Sequence, residues 1–178
     1  MQIGLIRHFS VNLSYPKKVL LTKAEIVEWF DTYETAQTTH QEVDLRGIDW
    51  QQCFSSTSYR AVNTAEQVYN GEITRLDWLR ELDVLHLLPG GIRLPFLVWG
   101  TLVFRKSISA NPVTIGYRQK MADFLDELLS GGPDNVLIVS HWYVMRLLQK
   151  ELLQRGFRGD SFTSAVNGKL YVFNGKET

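Results

Sequence analysis

The sequence predicts a layered α/β domain whose sheet is mostly parallel and has an antiparallel edge strand. Two short apolar runs, Gln2 to Ile6 and Val136 to Val139, have the length of buried strands. Segments of helical periodicity follow such runs, and this alternation is typical of parallel sheets covered by helices. Near the end of the chain Asn167-Gly168 separates two apolar runs. That dipeptide predicts a two-residue hairpin turn, which supplies the antiparallel edge.

Two segments in the first half of the chain carry helix signals. Thr22 and Glu25 have the spacing of a capping box, and apolar side chains follow at helical intervals, so a helix is predicted over about 22–34. Cys53-Phe54 is a short strand-like run, and the serines after it commonly begin helices. The face of this second helix is predicted to contain Ala61, Thr64, Ala65 and Val68, and the helix to end near Gly71.

The second half of the chain repeats this alternation. One helical face is formed by Tyr117, Met121, Phe124, Leu125 and Leu128, and it closes at the Gly-Gly-Pro of residues 131–133. The strand at 136–139 then ends at Ser140-His141. A last helix carries Met145, Leu148 and Leu152 on one face and continues to Gly156, which suits the residue just after a helix.

Composition sets the class of protein. The 178 residues carry 19 Lys and Arg against 19 Asp and Glu, and 44% are apolar, which excludes a disordered chain and is typical of one globular domain. Without a basic run there is no electrostatic case for nucleic-acid binding. The apolar stretch from Leu94 to Phe104 is shorter than the roughly 20 residues of a membrane span. A single cysteine and no signal-like start predict a cytoplasmic protein.

Three predicted strand ends carry residues suited to an anion. Arg7-His8 follows the first strand, Arg60 lies a few residues after the second, and His141 follows the strand at 136–139. Because the carboxyl ends of parallel strands meet at one edge beside helix N-termini, these side chains are expected to lie close together. Arginine offers paired donors to phosphoryl oxygens, and histidine can attack phosphorus. Any one of these residues alone would more often be an ordinary surface or core residue, but their joint placement at strand ends predicts a phosphoryl-binding pocket.

Four short motifs follow one another within residues 5–141. They are Leu5-Ile6-Arg7-His8, the segment from Ser55 to Ala65 with its Ser-Ser, Arg-Ala and Thr-Ala pairs, Leu79-Arg80-Glu81, and Val139-Ser140-His141. In these motifs the chain resembles the histidine phosphatase superfamily, in its phosphoglycerate-mutase-like branch. The resemblance implies a three-layer α/β/α sandwich made by one domain over residues 1–178.

The resemblance also implies a role for each matching residue. His8 would be the nucleophile that forms a phosphohistidine, while Arg7, Arg60 and His141 would hold phosphoryl oxygens. Glu81 would protonate the leaving oxygen and then activate water. A histidine nucleophile must be neutral, and neighbouring arginines favour its neutral form while they stabilise phosphate charge. No metal or other cofactor is implied, and the sequence has no metal-ligand motif; His40 and His86 are isolated.

The sequence departs from the family pattern beside both histidines. Phe9 and Trp142 stand where glycine usually follows, and they are expected to shape the pocket or to pack in the core. Ser10 and Ser14 replace residues that phosphoglycerate mutases use, which disfavours mutase activity.

Residues 84–112 are expected to form a cap-like insertion over the pocket. Its apolar stretch at 94–104 is a helix packed on the core, a pocket wall, or a surface patch for self-association or for a membrane surface. A wall that includes Trp99 and Phe104 would favour substrates with an apolar moiety. The function predicted is that of a cofactor-independent phosphomonoesterase of the histidine acid phosphatase type. Its substrate would be a small phosphate ester or a phosphoprotein. The alternative is a catalytically weak module that binds a phospho-ligand; oligomeric state stays open.

Overall fold

The computed structural model describes residues 1–109 and 112–175. The strands are β1 (Gln2–Arg7), β2 (Leu21–Thr22), β3 (Gln52–Ser56), β4 (Ile73–Leu76), β5 (Arg93–Leu94), β6 (Asn135–Ser140), β7 (Arg158–Gly159) and β8 (Leu170–Asn174). The helices are α1 (Lys23–Thr35), α2 (Tyr59–Val68), α3 (Phe96–Ile108), α4 (Pro112–Leu129) and α5 (Trp142–Gln154). Each helix and main strand predicted from periodicity is therefore present.

The main sheet confirms the predicted fold class. Its strand order is β4-β3-β6-β1-β8-β7, with the first four strands parallel and the last two antiparallel to their neighbours. Leu5 of β1 lies opposite Ile138 of β6 on one side and Tyr171 of β8 on the other. The central strands are buried along nearly their whole length, as expected for a sheet covered on both faces.

Apolar side chains pack on both faces of this sheet and make three layers. On one face Ile3, Leu5 and Ile138 pack in a cluster with residues of α4 and α5, among them Met121 and Leu148. On the other face, the strand residues Ile6, Leu137 and Val139 pack with Ala61 and Ala65 of α2. The alternation of faces along each strand therefore builds both interfaces.

Two helix ends follow the predicted signals, whereas α2 ends at Val68, three residues before the predicted Gly71. Glu25 N–H donates to Thr22 Oγ1 over 3.3 Å while Thr22 N–H donates to Glu25 Oε2 over 2.8 Å, which completes the capping box of α1. At the end of α5, Gly156 has a φ of +85° and Phe157 N–H donates to Leu152 O over 3.0 Å. Glycine adopts this left-handed conformation without steric cost, so the helix stops there.

The predicted hairpin at Asn167-Gly168 is wrong. The two residues before it form no strand, and β8 pairs with β1 and β7 instead. Asn167 Nδ2 donates to His8 O over 2.7 Å, and Gly168 N–H donates to Arg7 O over 2.9 Å. Because these bonds connect the turn to the end of β1, the apolar run after it continues as an inner strand beside β1.

The two-stranded sheet of β2 and β5, together with helices α1 and α3, lies above the carboxyl ends of the strands of the main sheet. Leu21 of β2 lies opposite Leu94 of β5, and α1 and α3 pack around a small core of Leu21, Ile26, Leu88 and Trp99. Trp99 is fully buried, and its Nε1 donates to Leu21 O over 2.8 Å. The apolar stretch thus forms a helix that packs against α1. No helix in residues 1–109 or 112–175 is long and apolar enough to cross a bilayer.

Candidate active site

The carboxyl ends of β1, β3 and β6 bring the predicted phosphoryl-binding residues together. Arg7 is the last residue of β1 and lies opposite Ser140 in the register with β6. Arg60 lies in the first turn of α2, directly after β3. Because β1 and β3 both flank β6, the side chains that follow these three strands converge on one region.

His8 and His141 lie against each other in the protein interior. Their ring centroids are 5.1 Å apart, and the residues are 1% and 0% exposed. His8 Nδ1 lies 2.7 Å from Phe9 O. Because a carbonyl only accepts, this contact assigns the proton to Nδ1 and leaves the lone pair on Nε2. Burial, together with the positive charge of Arg60, lowers the pKa of His8 to about 3, so the ring is neutral at physiological pH.

His141 is fixed by three polar partners. Its Nε2 lies 2.9 Å from Ser56 Oγ and 3.1 Å from Ser58 Oγ, and its Nδ1 lies 3.2 Å from Arg60 Nη2. A guanidinium only donates, so Nδ1 accepts and Nε2 carries the proton. Burial and then Arg60 hold the pKa of His141 well below its ordinary value. This second imidazole is therefore a neutral hydrogen-bond donor.

Arg7 and Arg60 bring positive charge to the site and keep spare donors. Arg7 Nη1 donates to Ala165 O over 2.9 Å, whereas its buried Nε has no partner among the described residues. Arg60 is 3% exposed, its Nη1 lies 2.8 Å from Glu34 Oε1, and its Nε is likewise without a described partner. The guanidinium also lies over the ring of Tyr33, 4.9 Å from its centroid. Buried donors without partners are rare and suit a site that receives an anion.

The carboxyl group of Glu81 faces a cavity and accepts a hydrogen bond from the backbone at the start of α5. Tyr143 N–H donates to Glu81 Oε1 over 3.2 Å, and Oε2 lies 3.8 Å from His141 Nδ1. The side chain is 41% exposed and lines the cavity. Burial raises the pKa of Glu81 above its ordinary value, although Arg60 opposes the shift. A carboxyl group in this setting keeps its proton to higher pH than a surface glutamate.

The cavity has a volume of about 410 Å³ and two kinds of wall. Its charged residues are Arg7, Asp31, Glu34, Arg60, Arg80, Glu81 and Asp83. Its apolar and aromatic residues are Phe30, Tyr33, Leu82, Leu85, Val103, Phe104, Trp142 and Tyr143. His8 and His141 do not line it, but Arg60 touches both the cavity and His141. His141 is therefore in contact with the cavity wall through Arg60, and His8 lies against His141.

The two aromatic residues predicted to shape the pocket have different positions. Trp142 lines the cavity, and its ring lies 5.5 Å from that of Phe104. Phe9 does not line the cavity: it is fully buried, its N–H donates to Thr64 Oγ1 over 2.8 Å, and its ring meets His40 edge-on. Trp99 is also absent from the wall, since it packs in the small core under α3. Of the apolar segment, Phe104 thus reaches the site and Trp99 does not.

Several cavity residues were not anticipated from the sequence, among them Arg80, Tyr33 and Glu34. Arg80 directly precedes Glu81 in the sequence, and this neighbourhood could have indicated that it belongs to the site. Tyr33 and Glu34 belong to the last turns of α1, where they look like ordinary residues of an amphipathic helix. Their approach to Arg60 depends on how α1 packs against α2, which no local pattern encodes.

Known proteins resemble this chain in fold and not in sequence. No family model matches the chain, and no curated protein matches it by sequence. A phosphoserine phosphatase from Entamoeba histolytica, solved in complex with 3-phosphoglyceric acid, superposes with a TM-score of 0.52 at 14% identity, over 99% of this chain and 98% of that chain. The protein histidine phosphatase SixA, complexed with tungstate, superposes with a TM-score of 0.44 at 16% identity, over 85% and 76%. The likeness to the phosphoserine phosphatase confirms the predicted fold.

Proposed function

We propose that this protein is a phosphomonoester hydrolase that works through a phosphohistidine on His8. The observation that carries the proposal is the convergence on one site of a neutral imidazole with a free Nε2, two arginines with spare donors and a carboxyl group of raised pKa. Those are the parts that phosphoryl transfer to histidine needs: a nucleophile, charge stabilisation and a proton donor. The match in fold to a phosphatase supports the same reading.

The reaction proceeds in two balanced steps. His8 Nε2 attacks phosphorus, the P–O bond of the ester breaks, and Glu81 gives its proton to the departing oxygen. Water then attacks the phosphohistidine, Glu81 takes a proton from that water, and the N–P bond breaks to release phosphate and restore His8. Arg7 and Arg60 hold the phosphoryl oxygens in both steps, and the Nε2–H of His141 joins them once it has left Ser56 and Ser58. Because His8 is 1% exposed, substrate binding must include a side-chain movement that opens a path from the cavity.

The cavity walls favour a substrate with an apolar moiety. Phe104 and Val103 of α3 line the cavity together with Phe30 of α1 and Glu81. We propose that the insertion predicted at 84–112, of which residues 110 and 111 lie outside the described part of the chain, acts as a cap over the site. Aromatic and aliphatic walls stabilise an apolar leaving group, whereas a small polar ester would leave them in contact with water. A volume of about 410 Å³ suits a small molecule better than a folded phosphoprotein.

The cap assignment predicts a substrate preference. We expect aryl and alkyl phosphates to have higher kcat/KM than 3-phosphoglycerate, and Phe104→Ser to reduce this preference by about tenfold, because the loss of apolar contact weakens only the apolar substrates. Leu97→Ser is the matched control, since Leu97 lies on the same helix and is 80% exposed. Steady-state rates on both substrate classes measure the preference. A wild-type preference for polar sugar phosphates would contradict the apolar-pocket assignment.

Activity is expected to survive a metal chelator. Arg7 and Arg60 already supply the positive charge that a metal ion provides in other phosphatases. We expect rates in excess EDTA to equal the untreated rates across a panel of phosphomonoesters. Loss of activity that only a divalent cation restores would contradict the metal-free mechanism.

The same panel tests the second candidate function, a phospho-ligand binding module with little turnover. That candidate is favoured by the burial of His8, which lies outside the cavity wall. Such a module would bind inorganic phosphate and hydrolyse none of the esters. Turnover of any ester that depends on His8 would exclude it.

A further inference from the structure

Glu34 places a carboxylate on the guanidinium to which the proposed function assigns the substrate phosphate. Glu34 Oε1 lies 2.8 Å from Arg60 Nη1, and Oε2 lies 3.3 Å from Arg80 Nη2. Arg60 is buried, whereas the side chains of Arg80 and Glu34 are 46% and 36% exposed. One carboxylate thus bridges an inner arginine of the site and an outer one.

The position of Glu34 on its own helix is unfavourable. It lies in the last turn of α1, which contains no basic residue, and the helix dipole places negative potential at that end. The two arginines therefore supply the attraction that holds the carboxylate there. Its contact with Arg60 does not belong to helix formation and can be exchanged without loss of α1.

A phosphoryl group and Glu34 compete for the positive charge of the same guanidinium. Arg60 Nη2 lies 3.2 Å from His141 Nδ1, and Nη1 forms an ion pair with Glu34 Oε1 at 2.8 Å, so an anion already lies against this guanidinium although Nε and Nη1 donate no hydrogen bond to a described residue. Two anions on one buried guanidinium repel each other strongly, because screening by water is weak there. Arg80 faces solvent and already contacts the same carboxylate, so it can hold Glu34 after Glu34 leaves Arg60.

We propose that Glu34 is an internal counter-ion of Arg60, which the substrate phosphate displaces onto Arg80. The proposal deepens the proposed function and rests on its assignment of Arg60 to phosphate. Glu34 then determines the affinity of the site for phosphate monoesters: it keeps Arg60 neutralised in the empty protein and lowers phosphate affinity by the free energy of the exchange.

The first test measures binding of inorganic phosphate by calorimetry, which needs no turnover. Glu34→Gln keeps the size of the side chain and removes its charge, so phosphate is expected to bind about tenfold more tightly. Glu28→Gln is the matched control, because it removes a charge from an exposed position on the same helix outside the cavity. Its phosphate affinity is expected to stay within about twofold of wild type.

The second test separates displacement from direct binding by Arg80. Arg80→Gln is expected to weaken phosphate binding in the wild-type background, since Glu34 loses the partner that it keeps after it leaves Arg60. In the Glu34→Gln background the same change is expected to have no effect. Equal losses in both backgrounds would mean that Arg80 itself holds the phosphate and would overturn the exchange.

Two further outcomes overturn the proposal. Unchanged or weaker phosphate binding in Glu34→Gln would show that Glu34 orients Arg60 and does not compete with the ligand. Absence of phosphate binding in every variant would remove its basis. Failure of the proposed function looks different: phosphate binding follows the expected pattern, while no ester is hydrolysed.

Discussion

His8→Ala is expected to lower hydrolysis of p-nitrophenyl phosphate by at least about 10⁴-fold, because loss of a nucleophile removes the covalent route altogether. His141 cannot replace it, since its Nε2 is hydrogen-bonded to Ser56 and Ser58 and its Nδ1 to Arg60. Initial rates at saturating substrate measure the loss.

The matched control for this variant is His86→Ala. His86 is exposed and lies outside the cavity, so the change removes an imidazole and leaves the site intact. Because alanine at position 8 leaves a hole in the core, His8→Gln is measured beside it, and thermal melts of both variants report their folding. Wild-type turnover in a folded His8 variant would show that another group is the nucleophile.

Glu81→Gln is expected to slow alkyl phosphates by about 10²–10⁴-fold, the usual contribution of general acid catalysis. p-Nitrophenyl phosphate should lose much less, because its leaving oxygen departs without a proton. Asp83→Asn is the matched control, since Asp83 lines the same cavity and the change removes the same charge. Equal losses for both types of ester would indicate that Glu81 binds or positions the substrate and does not transfer a proton.

The raised pKa of Glu81 gives this prediction a pH dependence with a definite sign. Phosphoryl transfer from an alkyl ester needs the protonated carboxyl group, so its rate should fall as pH rises through the Glu81 pKa, which lies above that of an ordinary glutamate. His8, with a pKa of about 3, stays neutral throughout this range and adds no acidic limb near neutrality. The Glu81→Gln variant should lack the decline.

The periodic elements of the fold could be predicted because each rests on local physics. The capping box at Thr22, the strand that ends at Arg7 and the glycine at 156 depend on residues a few positions apart. The convergence of Arg7, Arg60 and His141 followed from the rule that carboxyl ends of parallel strands meet at one edge. Their catalytic roles remain predictions.

Features that depend on long-range packing could not be predicted. The predicted hairpin at Asn167 was wrong because the Asn167 side chain donates to His8 O. His8 is far away in sequence, so no local pattern indicates this contact. Phe9 and Trp99 carry large apolar side chains, but periodicity does not say which cavity or core they fill. Glu34 reaches Arg60 only because α1 packs beside α2.

The most direct test of the account is to identify the phosphorylated residue. Rapid quench of the protein with a ³²P-labelled phosphomonoester, followed by peptide mapping, should place an acid-labile, base-stable label on His8 Nε2. The label should appear within one turnover and decay at the rate of product formation. Label on any other residue, or turnover of the wild-type protein with no label at His8, would contradict the phosphohistidine mechanism.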